Sequence, residues 1–284
     1  MGGSTIIRTK GLTKCYDTIT AVKALNLEIR EGEVFGLLGP NGAGKTTTTL
    51  MLLGLTEPTE GTAAIDGHDC TRDSIAVKRI VGYLPDSVGF YPDLTGRENL
   101  RFTGQLNGLE PSECEERAEQ LLKRVGMVQA ADRKTGEYSR GMKQRLGIAD
   151  VLMKDPKVII MDEPTLGIDP EGMRELIALI RELSVKDRRT ILISSHQLYQ
   201  VQQICDRVGI FVQGELIACG RIEELGKQLE NEGRYVLDIQ AEPDNEALGE
   251  LLRQIPEVHS LQQDADGLLH VESGRDIRRE ATAM

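Results

Sequence analysis

The stretch GPNGAGKT sets two glycines, a lysine and a hydroxyl at the spacing that grips a polyphosphate. Its loop runs Gly39, Pro40, Asn41, Gly42, Ala43, Gly44. Gly42 and Gly44 permit positive φ and carry no Cβ, so successive backbone N–H groups can curl inward around phosphate oxygens. The loop then opens a helix whose first amides and positive dipole end face the same anion. Lys45 supplies a point charge for the β and γ phosphates, the Thr46 hydroxyl a ligand for Mg²⁺, and Thr47 reaches the α phosphate. A glycine turn could match this pattern by chance. The apolar strand before it (Val34, Phe35, Leu37, Leu38) and the apolar helix after it (Leu50, Leu52, Leu53) argue for a bound nucleotide instead.

A phosphate loop binds, whereas hydrolysis needs a held metal and an oriented water. VIIMDEP, from Val158 to Pro164, delivers two adjacent carboxylates on an apolar strand. Asp162 is expected to hold Mg²⁺ through water and Glu163 to polarise the attacking water. The plainer alternative is a polar strand end that caps a turn. His196, straight after Ser194 and Ser195, is a candidate donor to the γ phosphate, although alone it reads as a helix-start residue. In YSRGMKQR, Ser139 is a plausible N-cap, and with Gly141 it leaves exposed amides at a helix start, a second anion-binding surface. It lies far along the chain from the phosphate loop, and one chain is not expected to bring both to one nucleotide.

The elements that must position these groups alternate. Strands are expected over Thr5 to Lys10, Ala24 to Ile29, Val34 to Leu38, Gly61 to Ile65 and Ile80 to Leu84. From Asp86 to about Met153, Leu, Arg, Glu and Gln dominate, which predicts a helical insert with Met142, Leu146, Ala149 and Met153 on one side of its last helix. Val158 to Met161 is a continuous apolar run, as a parallel strand buried on both faces requires. Asp169 and Pro170 start a helix with an apolar stripe at Met173, Leu176, Ile177, Ile180 and Leu183. A strand over Thr190 to Ser194 and a helix carrying Leu198, Val201, Gln202 and Cys205 follow. Strands alternating with helices predict a parallel sheet with sites at its carboxyl edge. Past Gly220 the pattern becomes a small β-α-β-β unit: Tyr235 to Gln240, Asn245 to Ile255, then Val258 to Gln262 and Leu268 to Val271 turning at Asp266 and Gly267. That appendage is expected to be incomplete by itself, since a polar segment, Arg275 to Glu280, begins just before the end. Asp244, Glu246, Glu250 and Arg253 read as a solvated helix face.

The 284 residues suggest one large domain of roughly 220 residues plus an appendage of about 60. A net charge of −11 argues against a surface built to neutralise nucleic acid, so no nucleic-acid partner is expected. The five cysteines, Cys15, Cys70, Cys114, Cys205 and Cys219, have no metal or redox spacing and fit reduced thiols of a cytosolic protein. His68, Asp69 and Cys70 read as solvated loop rather than a metal site. With no secretion signal and no run approaching 18 apolar residues, the chain is expected neither to cross a membrane nor to be secreted.

The order GPNGAGKT, GYLPD, YSRGMKQR, VIIMDEP, LGID and SSH resembles the ATP-binding subunit of an ABC transporter over about residues 5 to 225. The resemblance implies an α/β P-loop NTPase core with a parallel central sheet, an N-terminal antiparallel β subdomain and a helical insert at about 86 to 153. A small C-terminal α+β appendage follows over 231 to 284. It implies that Tyr16 stacks on adenine, that Lys45 and Thr46 serve phosphate and Mg²⁺, and that Asp162 and Glu163 do the metal and catalytic-carboxylate work. His196 becomes the switch histidine and Asp169 crosses a dimer interface. Ser139 and Gly141 clamp the γ phosphate held by a second copy, so two ATP molecules are sandwiched head to tail.

Two departures bear on this. The family commonly has glutamine where this chain has Asp86, whose shorter acidic side chain reaches the metal through water. The signature usually reads LSGGQ; Tyr138, Arg140 and Met142 replace three letters and leave the serine and second glycine. This form, with a short β-rich tail, is similar to the exporter-type subset that works with separate integral membrane permease subunits. It places the chain in the cytoplasm, peripheral on the inner face of the cell membrane. Val88, Phe90 and Tyr91 are candidates for the groove that docks such a subunit, or are ordinary core. The alternative is a soluble ABC ATPase acting on ribosomes or DNA, but neither a repeated core nor heptads appear.

Overall fold

The computed structural model describes residues 4–225, 235–239, 245–263, 269–274 and 277–282. The chain divides into two compact units, Met1–Gly220 and Arg221–Met284.

In the first unit, β1 (Thr5–Tyr16), β2 (Ile19–Arg30), β3 (Val34–Leu38), α1 (Lys45–Leu52), β4 (Glu60–Ile65), β5 (His68–Asp69), α2 (Ser74–Ile80) and β6 (Val81–Leu84) come first. The insert follows as α3 (Gly96–Leu106), α4 (Pro111–Arg124), two 3-10 turns and α5 (Arg140–Leu152). The unit closes with β7 (Val158–Asp162), α6 (Pro170–Val185), β8 (Thr190–Ser195), α7 (Leu198–Ile204), β9 (Arg207–Val212) and β10 (Glu215–Gly220).

Two sheets result. β2-β1-β4-β5 is antiparallel throughout. The other runs β10-β9-β3-β8-β7-β6, with β9, β3, β8, β7 and β6 mutually parallel and β10 antiparallel at the edge. Every residue of β3 and β8 is buried. Covering both faces of a parallel sheet requires that, and continuous runs such as ILIS satisfy it. The core joins the two sheets through Ile7, Leu25, Ile29, Phe35, Leu37 and Phe211. The start of β3 is fixed by polar groups: Val34 N donates to Asp206 (2.9 Å), and buried Glu33 pairs with Arg207 (3.0 Å).

The structure differs from the sequence reading in extent. β1 and β2 are each 12 residues, longer than their alternating cores, because pairing continues through register shifts that hide the period-2 pattern. Ile80 ends a helix rather than starting a strand. The helix α2 and the hairpin β9–β10 have no counterpart in the sequence reading. That hairpin turns at Gln213 and Gly214, both at positive φ. A two-residue loop of this kind is a hairpin signal.

The second unit holds β11 (Tyr235–Ile239), a helix over Asn245–Arg253, β12 (Val258–Gln263), β13 (Leu269–Ser273) and a helical turn over Arg278–Thr282. Its sheet is antiparallel, ordered β11-β13-β12, and its core gathers Leu252, Ile255, Leu269, Val271 and Ile277. The expected turn at Asp266 and Gly267, and also Gln240, Asp244, Leu268 and Arg275, lie outside the described residues.

Candidate functional site

The carboxyl ends of the parallel strands converge on one cavity of about 320 Å³. It is lined by Asn41, Gly42, Gly44, Lys45, Thr46 and Thr47 after β3, Asp86 after β6, Asp162 and Glu163 at β7, Leu166, His196 after β8, and Ala21 from β2. The size falls in the range of small-molecule clefts.

Local sequence explains the loop. Gly44 sits at φ 106 as the cap of α1, and a Cβ there would lie 2.4 Å from Ala21 O. Gly39 has a different constraint, since a Cβ would lie 2.3 Å from Phe211 O on β9. Both glycines let the loop lie against neighbouring backbone. Lys45 is buried and donates from Nζ to Gly39 O (2.6 Å) and Pro40 O (3.1 Å), so the ammonium bridges the loop. Burial lowers the Lys45 pKa, while Glu163 and Asp162 pull it the other way.

Three carboxylates, Asp86, Asp162 and Glu163, line the same cavity as the lysine. Burial pushes the Asp162 carboxyl up; the Ser194 hydroxyl, which donates to it, opposes the rise, and Asp86 and Glu163 reinforce it. Glu163 adopts φ 45, which is costly for a residue with a Cβ. Its backbone is held by Glu163 N to Ser194 O (2.9 Å) and Leu166 N to Glu163 O (3.1 Å). Its carboxylate meets His196 Nδ1 at 2.8 Å and accepts from Ser195 Oγ at 3.2 Å.

Among the described residues no three His, Cys, Asp or Glu side chains form an all-protein metal cage. Mg²⁺ keeps waters and binds through one or two carboxylates plus substrate phosphates. The donors are hard oxygens, from Thr46, Asp162 and Asp86, and their crowded negative charge fits a divalent cation.

The remaining expected residues lie elsewhere. Gly39, Pro40 and Ala43 shape the loop without lining the cavity. Tyr16 does not line it; its ring is 44% exposed and lies 4.9 Å from Lys14 Nζ. Ser139 caps α5, accepting from Met142 N at 3.3 Å, and Asp169 caps α6, accepting from Gly172 N at 3.2 Å. Gly141 faces Ile168 of the loop before α6, and a Cβ there would lie 3.5 Å from the Ile168 side chain, an ordinary contact. None of Ser139, Gly141 and Asp169 lines the cavity. Tyr91 is exposed, with its ring edge-on to Phe102 at 5.0 Å, whereas Val88 and Phe90 are half-buried. Sequence reasoning misses Ala21 and Leu166, since one is a small strand residue and the other an aliphatic in a turn, and neither carries a chemical signal.

Residues 22–166, half of the chain, match the ABC transporter family model. The chain is 38% identical to the bacitracin transport ATP-binding protein BcrA of Bacillus licheniformis over 95% of its own length and 86% of that protein. It is 34% identical to the linearmycin resistance ATP-binding protein LnrL of Bacillus subtilis, covering 98% and 91% of the two chains. The fold is similar to cbiO1 of Clostridium perfringens, part of an ABC transporter complex, with TM-score 0.73 and 30% identity, covering 80% and 93%. A dimeric ATP-binding cassette bound to ADP and Pi aligns with TM-score 0.70 and 27% identity, covering 76% and 99%. With a phosphate loop, paired carboxylates and a histidine gathered at one sheet edge, the chain belongs to the ATP-binding, ATP-hydrolysing subunits of the ABC transporter family.

Proposed function

We propose that this chain is the ATP-driven motor of an exporter whose membrane path is built by separate permease subunits. The observation that carries the reading is the convergence of Lys45, Thr46, Asp162, Glu163 and His196 on one cavity, with Ser139 and Gly141 outside it. A site missing its second anion-binding surface is completed by a second copy, placed head to tail so that each copy's Ser139 and Gly141 meet the γ phosphate held by the other. Asp169, at the start of α6, would lie at that interface.

In this reading the amides of Asn41 to Thr47 and the Lys45 ammonium hold the phosphates. Thr46, Asp162 and, through water, Asp86 would hold Mg²⁺, which neutralises charge on the β and γ oxygens when bound. Glu163 orients a water for in-line attack on the γ phosphorus, and His196, fixed by Glu163, donates to the γ phosphate. Phosphate leaves, ADP remains, and the pair reopens. Tyr16 is exposed at the end of β1, which suits stacking on an adenine that projects beyond the phosphates. Among the described residues no helix is long and apolar enough to cross a membrane. The similarity to transport ATP-binding proteins supports a peripheral place on the cytosolic face. The exposed Tyr91 beside half-buried Val88 and Phe90 supports a permease contact near Asp86. The large unit at about 5–225 would carry this cycle, and the unit at about 231–284 is an appendage to it.

Glu163→Gln tests the reading. With ATP and Mg²⁺ this variant binds nucleotide, does not hydrolyse it and accumulates as a dimer by light scattering. A variant that stays monomeric at saturating ATP overturns the sandwich.

A further inference from the structure

A closed circuit of hydrogen bonds surrounds Glu163. The Ser195 hydroxyl donates to the Glu163 carboxylate (3.2 Å) and accepts from Gln197 N (3.1 Å). The side-chain carbonyl of Gln197 accepts from the Gln200 amide, and the Gln200 carbonyl accepts from the Thr165 hydroxyl. Thr165 lies two residues beyond Glu163, so the circuit returns to its origin through Pro164. Ser195, Thr165 and Gln200 are all buried. Gln200 belongs to α7, and the circuit thereby ties that helix, whose approach carries His196, to the turn that carries Glu163.

We infer that Thr165 and Gln200 are positioning residues for the hydrolytic step. They fix the direction of the Glu163 carboxylate and its separation from His196. Three observations support this. The Glu163 backbone sits at φ 45, a conformation that persists only where its surroundings over-determine it. Both carboxylate oxygens are engaged, one by His196 and one by Ser195, so the carboxylate plane is set by partners that the circuit itself anchors. The polar atoms of Thr165 and Gln200 that close the circuit are buried, where an unmade hydrogen bond is expensive and a satisfied network is rigid. Neither residue lines the cavity, so neither touches nucleotide. The inference rests on Glu163 being the residue that orients water.

The test compares the full chain with Thr165→Val, which keeps the shape and removes the hydroxyl, Thr165→Ser, which keeps the hydroxyl, and Gln200→Leu. Steady-state ATP hydrolysis and direct ATP binding are measured on each, with Glu163→Gln alongside. Thr165→Val and Gln200→Leu are expected to lose roughly ten- to a hundredfold in kcat, because small misplacements of a reacting group carry penalties of that order. Their KM and ATP affinity stay within about twofold of the parent, the signature of an interaction made for the chemical step. Thr165→Ser stays close to the parent, and the double variant falls no further than its worse single, as members of one circuit do. Parental kcat in Thr165→Val and Gln200→Leu overturns the inference. So does a parallel loss of kcat, KM and thermal stability that Thr165→Ser shares, since that marks a purely structural role. If Glu163→Gln itself hydrolyses at the parental rate, the assigned role of Glu163 fails and the inference falls with it. If Glu163→Gln is inactive while the circuit variants are not, the inference alone falls.

Discussion

Asp150, on the buried side of the helix that Ser139 caps, makes the chain's stability depend on pH in a direction opposite to that of an ordinary surface carboxylate. Its Oδ1 is buried with no hydrogen-bond partner. Burial pushes the carboxyl from 3.8 up to about 6, against the opposing pull of a Thr103 hydrogen bond and the Lys154 ammonium. A folded-state pKa above the unfolded one means that the folded chain holds the proton more tightly. The associated stability is fully present below the unfolded value of 3.8 and is lost as pH rises through about 6. A rise of this size corresponds to roughly 3 kcal/mol of destabilisation once the group is ionised. Asp150→Asn removes the charge and leaves the Thr103 contact available. Lys154, also partly desolvated, loses an attractive neighbour, which offsets part of the gain. The net expectation is about 2 kcal/mol of added stability at about pH 8 and near equality at about pH 4.5, where the parent carboxyl is protonated when folded. Urea unfolding followed by far-UV circular dichroism reads this directly, and is preferable to intrinsic tryptophan fluorescence because the chain has no tryptophan. An Asp150→Asn chain that is less stable than the parent at about pH 8, or whose advantage does not shrink as pH falls, refutes the reasoning.

Gly39→Ala places a Cβ 2.3 Å from the Phe211 carbonyl and forces the loop off β9; overpacking of this kind costs about 1–3 kcal/mol, so ATP affinity by calorimetry is expected to fall about tenfold or more. Ser139→Ala removes the bond from Met142 N and is expected to cost about 1 kcal/mol in urea unfolding. ATP binding to the single chain remains parental, while the ATP-driven dimer of the Glu163→Gln background is weakened.

What the sequence made legible was the chemistry that depends on short spacing. GPNGAGKT fixes its own geometry through glycines, and VIIMDEP carries its carboxylates to a strand end because the apolar run before them must be buried. The cavity that joins Asp86, Asp162 and His196 to the loop follows from strand order β3-β8-β7-β6, which brings together strands distant in sequence. That order cannot be read from local pattern, but sites at carboxyl edges of parallel sheets can be expected. The hairpin β9–β10 escaped because RVGIFV and ELIACG carry little strict alternation. The Thr165–Gln200 contact escaped for a different reason: a polar residue on an apparent helix face reads as solvated until tertiary packing buries it.

The claim that each cavity is completed by the other copy is tested most directly by mixing two crippled chains. Lys45→Ala disables a chain's own cavity, and Ser139→Glu disables what it lends to its neighbour; each alone is expected to be inactive. In a mixed pair both lesions fall on one composite site and the other is intact, so hydrolysis should return, at roughly a quarter of the parental rate if copies pair at random and sites act independently. A mixture as inactive as its components, under conditions where the parent dimerises and hydrolyses ATP, contradicts the account.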